Sequence, residues 1–355
     1  MKARFALLIA ALLLVALGCD LATPVPTQQA TLANPTPTLD APKFGVAGLI
    51  PRNFPDSSAA NWINLYETLP ETGEMLGVYT AWADSPETAG QVPAVASTIF
   101  ELAPRYHFTP LFALSFFRDD PDTGLEPLLA LADAGDRARF QQVAVEIAGR
   151  YSPQFLALGL EVNSYYERGS SNFDNFVSLY AETYDAVKAV SPDTEVFTIF
   201  QYERLRGGQF FSGDVQNPAQ WDLLERFESR LDLAAFTTYP FLLYTSPSDL
   251  PVDYYTEIAR HTSLPVAFTE IGWPSEPLGP APDSPFGGSE AEQAAFVQRF
   301  FELITDLDLS LALWSFPYDP AGQINPAFLS VSLRHNDGVP KPALAIWREM
   351  INKNK

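Results

Sequence analysis

Two glutamates stand at the ends of apolar runs, and their placement bears on chemistry more than any other feature of the chain. Glu161 closes Phe155-Leu-Ala-Leu-Gly-Leu-Glu161, and Glu270 closes Leu264-Pro-Val-Ala-Phe-Thr-Glu270. Runs of this kind read as strands buried on both faces, as in a parallel sheet. A carboxylate at the C-terminal end of such a strand lies where barrel enzymes keep their reacting groups. Two carboxyls facing each other supply the acid/base and the nucleophile for hydrolysis of a glycosidic bond, and a separation of roughly 5–5.5 Å makes that hydrolysis retaining. One carboxyl must then be protonated to release the leaving sugar, while the other is ionised to attack the anomeric carbon. Close placement raises one pKa, and a hydrogen-bond donor on the other carboxyl keeps it charged. Tyr239, in Thr237-Thr-Tyr239-Pro-Phe241, ends the strand expected beside that of Glu270 and is the candidate donor.

For the two glutamates to meet, the elements that carry them must converge. Short apolar strands alternate with helical patterns along the chain from residue 43. The strands are expected at Phe44–Ile50, Glu74–Tyr79, Thr109–Ser115, Phe155–Glu161, Glu195–Phe200, Leu231–Thr237, Leu264–Glu270 and Leu309–Ser315. Asp136–Arg150 has helical spacing, with Phe140, Val143 and Ile147 on one face, and Phe173–Val190 and Glu290–Ile304 are similar. Ser289 is the expected N-cap of the last of these, with acidic residues in its first turn, and Pro340-Lys-Pro342 opens a final helix through Met350. Eight alternations predict an α/β fold, a single (β/α)8 TIM barrel over 43–355. An open doubly wound sheet would carry a ligand loop after its first strand, and none is visible. Glu161 then closes the fourth strand and Glu270 the seventh, on the face where the C-terminal strand ends meet.

Aromatic residues crowd the same strand ends: Trp82, Phe116, Phe117, Tyr165, Tyr166, Tyr202, Tyr239, Trp273 and Trp314. Sugar rings present C–H faces that stack on aromatic rings while polar neighbours read the hydroxyls. Each aromatic alone reads equally as packing; together they predict a carbohydrate groove. Gln201, Glu203, Arg118 and Asp319 are candidate partners for sugar hydroxyls. The implied partner is an oligosaccharide or polysaccharide, and carboxyl chemistry of this kind needs no cofactor.

With 22 basic and 43 acidic residues, the net charge of −21 repels phosphate backbones, so nucleic acid is not an expected partner. His107, His261 and His335 are scattered without ligand spacing and read as surface or capping residues, not as a metal site. Lys2 and Arg4 followed by apolar Phe5–Leu17 predict a targeting segment over 1–18. Gly18 and the single cysteine, Cys19, follow at once, and this arrangement resembles a bacterial lipoprotein signal, with Cys19 lipidated as the mature first residue. An ordinary signal peptide, or a chance cysteine in an anchor helix, is the alternative. Residues 20–42 hold five Pro and five Thr without apolar periodicity, so 19–42 reads as an extended tether. A monomeric barrel held at the extracytoplasmic face of the cell membrane is the resulting expectation.

The seventh-strand segment, Thr269-Glu270-Ile-Gly-Trp273-Pro-Ser275, resembles the nucleophile segment of glycoside hydrolase clan A, above all of the endo-β-1,3-glucanases, with the endo-β-1,4-galactanases also similar. Tyr239-Pro240 resembles the sixth-strand motif of those enzymes, Trp314 the aromatic that floors the sugar site, and Asp337-Gly-Val-Pro-Lys-Pro342 the approach to the last helix. The resemblance implies Glu161 as acid/base and Glu270 as nucleophile of an endo-acting enzyme on β-glucan or β-galactan. The fourth strand departs from the pattern. Where the family has Gly-Asn-Glu, this chain has Gly159-Leu160-Glu161-Val162-Asn163, so Leu160 replaces the asparagine that binds the hydroxyl beside the anomeric carbon. Asn163, two residues on, is the expected substitute by strand alternation. Leu160 also favours a rival reading, a carbohydrate-binding lipoprotein on a degenerate barrel.

Overall fold

The computed structural model describes residues 41–120, 124–127, 130–163, 170–209, 216–277, 288–322 and 325–354. Cys19, the expected signal segment and the tether through residue 40 lie outside these residues, as do Tyr165, Tyr166 and the side chains of Phe117 and Arg118.

The barrel strands are Lys43–Ala47, Met75–Ala81, Thr109–Ser115, Phe155–Leu158, a fifth strand in two pieces (Glu195–Phe197 and Ile199–Gln201), Ala234–Thr238, Val266–Ile271 and Leu309–Ser315. Every pairing among them is parallel. The hydrogen-bonded order runs from the first piece of the fifth strand through the fourth, third, second, first, eighth, seventh and sixth to its second piece. Both sheet edges therefore belong to one strand, and the sheet closes on itself at Thr198. A closed sheet leaves no unpaired edge, and its strands bury apolar residues against both the interior and the surrounding helices, as in the fully buried Phe44, Val46, Leu111 and Phe112.

Helices Ala59–Thr68, Ala94–Tyr106, Ala134–Tyr151 and Ser170–Val190 follow the first four strands, and Glu290–Leu303 and Pro342–Lys353 follow the last two. Phe140, Val143 and Ile147 are buried as their spacing predicts. Asp133 caps Ala134–Tyr151 by accepting from the Asp136 N–H at 2.8 Å, and Ser289 accepts from the Glu292 N–H at 3.1 Å. His107 ends Ala94–Tyr106 in the left-handed conformation, a capping position. The alternation lapses after the sixth strand, where the described chain makes three 3-10 turns, Pro240–Leu242, Pro247–Asp249 and Thr256–Arg260. Pro240, Pro247 and Pro251 each remove a backbone donor there, which disfavours a continuous helix.

Two strand boundaries differ from the sequence expectation in ways that matter for the site. The fourth strand stops at Leu158 instead of Glu161, because Gly159 (φ 93°) and Glu161 (φ 49°) take the left-handed region. Glycine does so freely, whereas a glutamate there is held by its surroundings. The fifth strand breaks at Thr198, since its first half bonds the fourth strand and its second half the sixth.

The segment after the eighth strand is pinned back onto the barrel. Lys341, fully buried, pairs with Asp319 at 2.7 Å and donates to the Ser330 carbonyl at 3.0 Å. The Gln293 amide donates to the carbonyls of Trp273 (2.9 Å) and Val331 (3.0 Å). The segment so held sets Phe328 edge-on against Tyr239, with ring centroids 4.8 Å apart.

Candidate active site

The end of the sixth strand holds both glutamates. Thr237 and Tyr239 are two residues apart and point to the same side of the sheet. Thr237 Oγ1 donates to Glu161 Oε1 at 2.7 Å. The Tyr239 hydroxyl donates to Glu270 Oε2 and lies 2.9 Å from Ser315 Oγ. The bond expected between Tyr239 and Glu270 from the adjacency of their strands is thus present.

Glu270 reaches this position through an irregularity in its strand. Phe236 pairs with Phe268, yet Thr237 pairs with Glu270, so the seventh strand carries one extra residue. Such a bulge re-aims the side chains beyond it. Phe268 keeps facing the helices, 5.3 Å from the Phe300 ring, while Glu270 turns to the interior. The Tyr79 hydroxyl, on the second strand, donates to the Thr269 carbonyl within the bulge. Tyr79 feels the charge of Glu270 and, more weakly, of Glu161. Tyr79, Glu161, Thr237, Tyr239, Glu270 and Ser315 therefore share one buried space.

Burial raises the Glu270 carboxyl to about 8; the Tyr239 hydrogen bond lowers it, and the Glu161 charge raises it again. The expected donor is in place, and desolvation outweighs its effect. The Tyr239 bond acts in the expected direction, favouring the charged form, and works against that burial. Two carboxyls in one field titrate as a pair, and between their two steps they hold a single proton. Burial, with the Glu270 charge, also lifts the Tyr79 and Tyr239 phenols well above their ordinary value, so both remain neutral donors.

Several residues expected at the groove lie elsewhere. Asn163 does not reach the Glu161 side: its Nδ2 donates to the Gln201 carbonyl and its Oδ1 accepts from the Gln201 N–H, each at 2.9 Å. Alternation fails there because Gly159 and Glu161 have left the extended conformation. Gln201 caps the short helix Tyr202–Arg206, accepting from the Arg204 N–H at 2.6 Å, and its amide donates to Glu203 Oε2 at 2.6 Å. Tyr202 packs on Trp221 and Phe236 and donates to the Tyr254 carbonyl. Trp82 and Phe116 pack on Phe140, and Trp273 on Phe296. Trp314 lies against Phe296 and Trp347 and donates to the Val331 carbonyl at 2.7 Å, so its neighbour Ser315, not Trp314, faces the glutamates. Asp319 is engaged by Lys341. In a barrel wall apolar on both faces, these aromatics fill the layer between strands and helices. His261 stacks on Trp221, and His335 lies 3.0 Å from Glu290. Among the described residues no cluster of three His, Cys, Asp or Glu is placed to hold a metal.

A parallel eight-stranded barrel with two glutamates buried at the ends of its fourth and seventh strands is the class of molecule these observations define. Solved glycoside hydrolases share the fold. An exo-β-1,4-mannosidase from Opitutaceae bacterium strain TAV5 superposes with a TM-score of 0.64 at 13% identity, covering 88% of this chain and 60% of the other. A family 39 glycoside hydrolase from Bacteroides cellulosilyticus WH2 gives a TM-score of 0.60 at 17% identity, with coverage of 88% and 64%. A GH5_18 variant from Streptomyces cattleya, in complex with Manβ1-4GlcNAc, gives 0.65 at 13% identity, with coverage of 88% and 81%. The chain thus spans less than two thirds of the length of the first two. No family model and no curated protein matches the sequence.

Proposed function

We propose that the protein is a retaining glycoside hydrolase acting on a β-linked glycan, with Glu161 as acid/base and Glu270 as nucleophile. The observation that carries this is the pair of hydrogen bonds from Thr237 and Tyr239, which bring two buried carboxyls from distant strands into one field. In the active arrangement the shared proton sits on Glu161. Glu161 gives it to the glycosidic oxygen as the bond to the leaving sugar breaks, and ionised Glu270 forms an ester with the anomeric carbon. Glu161 then takes a proton from water, whose oxygen attacks the same carbon and releases Glu270. Neutral Tyr239 steadies Glu270 whenever it is charged, a contribution largest in a water-poor site.

The resemblance of the seventh-strand segment favours an endo-acting enzyme on β-glucan or β-galactan, and the fold neighbours add β-mannan as a candidate. We further propose that Cys19 is lipidated and that 19–42 tethers the barrel at the extracytoplasmic face of the membrane. The second reading, a sugar-binding barrel without efficient turnover, draws on Leu160 in place of the usual asparagine and on the engagement of Asn163 by Gln201. Incubation with β-1,3-glucan, β-1,4-galactan and β-mannan, following product anomers by NMR, separates the two. Release of a β-configured product first supports the proposal; binding without turnover on all three selects the second reading.

A further inference from the structure

We propose that Glu203 is a positioning residue that sets both catalytic glutamates from behind the barrel wall, an inference that rests on the glycosidase reading. Glu203 lies in the short helix after the fifth strand and is fully buried. Its Oε1 accepts from Thr238 Oγ1 at 2.7 Å and from the Tyr254 hydroxyl at 3.0 Å, and its Oε2 accepts from Gln201 Nε2 at 2.6 Å. The Tyr239 backbone N–H also bonds this carboxylate. A carboxyl taken this far from water is costly unless its lone pairs are filled, and here neutral donors from two strand ends and the Tyr254 turn fill them.

What Glu203 grips is informative. Thr238 is the residue between Thr237 and Tyr239. Strand alternation points its side chain outward to Glu203, while its two neighbours point inward, one to Glu161 and the other to Glu270. Fixing Thr238 from outside therefore fixes the depth and tilt of both inward donors together. The grip is itself braced. Gln201 presents its amide nitrogen to Glu203 because its carbonyl oxygen is committed to the Arg204 N–H, and its backbone is held by Asn163. The chain Asn163–Gln201–Glu203–Thr238 thus ties the ends of the fourth, fifth and sixth strands beside Thr198, where the barrel closes. The Tyr255 hydroxyl, 2.9 Å from Thr238 Oγ1, completes the shell.

The test is the titration of Glu270 in the full-length protein, read from carboxyl 13C shifts, in Thr238→Val and Thr238→Ser. Valine keeps the shape of threonine and removes its hydroxyl; serine keeps the hydroxyl. Since the Tyr239 bond holds the Glu270 pKa down, loosening Tyr239 raises the midpoint. Thr238→Val is expected to raise it by about one pH unit, the equivalent of one weakened charged hydrogen bond. The alkaline limb of kcat should move up with it, with kcat lowered about tenfold and KM nearly constant. Thr238→Ser should titrate as wild type. Should the valine variant not fold, Glu203→Gln is expected to shift the midpoint in the same direction. An unmoved midpoint in Thr238→Val, or equal shifts in the serine and valine variants, overturns the proposal. A shifted midpoint in a protein without turnover on any glycan retains the clamp and removes the glycosidase reading instead.

Discussion

Replacing Glu270 by glutamine should stabilise the protein, and by an amount that depends on pH. Glu270 titrates near 8 in the folded chain against an ordinary value of 4.5, chiefly because it is buried. Between those values the folded state holds a proton that the unfolded state has released, so stability falls as pH rises. The cost is about 3 kcal/mol at pH 7 and about 5 kcal/mol above pH 8, at roughly 1.4 kcal/mol per unit. It vanishes below the unfolded value, where both states are protonated. Glutamine keeps the volume, carries no charge, and its carbonyl still accepts from Tyr239. Urea unfolding of wild type and Glu270→Gln from pH 5 to pH 9 should give curves that diverge steadily up to about pH 8 and run parallel beyond. A difference independent of pH, or a variant less stable than wild type at pH 8, would refute the assignment of Glu270 as a desolvated carboxyl.

Three further outcomes are expected. Lys341→Ala leaves Asp319 buried without its cation and should cost about 3–5 kcal/mol in denaturant unfolding; a loss below about 1 kcal/mol would mean that water solvates the pair. Mass spectrometry of membrane-extracted protein should find Cys19 as the modified mature N-terminus, and a soluble form starting elsewhere would remove the anchor. Leu160→Asn should raise kcat on the best glycan, because a hydrogen bond to the hydroxyl beside the anomeric carbon strengthens in the transition state; unchanged kcat would show that another group already makes that contact.

Much of the barrel is legible in the sequence, because parallel strands buried on both faces appear as apolar runs. Thr109–Ser115 and Leu309–Ser315 match the expected spans to the residue. The same physics hides which way each side chain points. Where both faces are apolar there is no alternation to read, so Ser315 faces the glutamates in place of Trp314, to which the resemblance gave that side. The bulge that admits Glu270 and the left-handed turn at Glu161 are backbone events without a sequence mark beyond Gly159. Tyr79 carries no sequence mark of a place in the site, because a tyrosine within an apolar strand reads as core; its hydroxyl crosses the barrel to the Thr269 carbonyl. Glu203 reads in sequence as a polar residue near a strand end, whereas the fifth strand passes directly into the helix Tyr202–Arg206 and so carries it behind the wall.

Covalent trapping tests the central claim most directly. The full-length protein, incubated with an activated 2-deoxy-2-fluoro glycoside of whichever sugar it cleaves, should accumulate one glycosyl ester, because the fluorine slows both steps while the good leaving group speeds only the first. Peptide mass spectrometry is predicted to place that sugar on Glu270, with no adduct in Glu270→Gln. Turnover that proceeds without an adduct and with inverted product, or an adduct on any other carboxyl, would contradict the account.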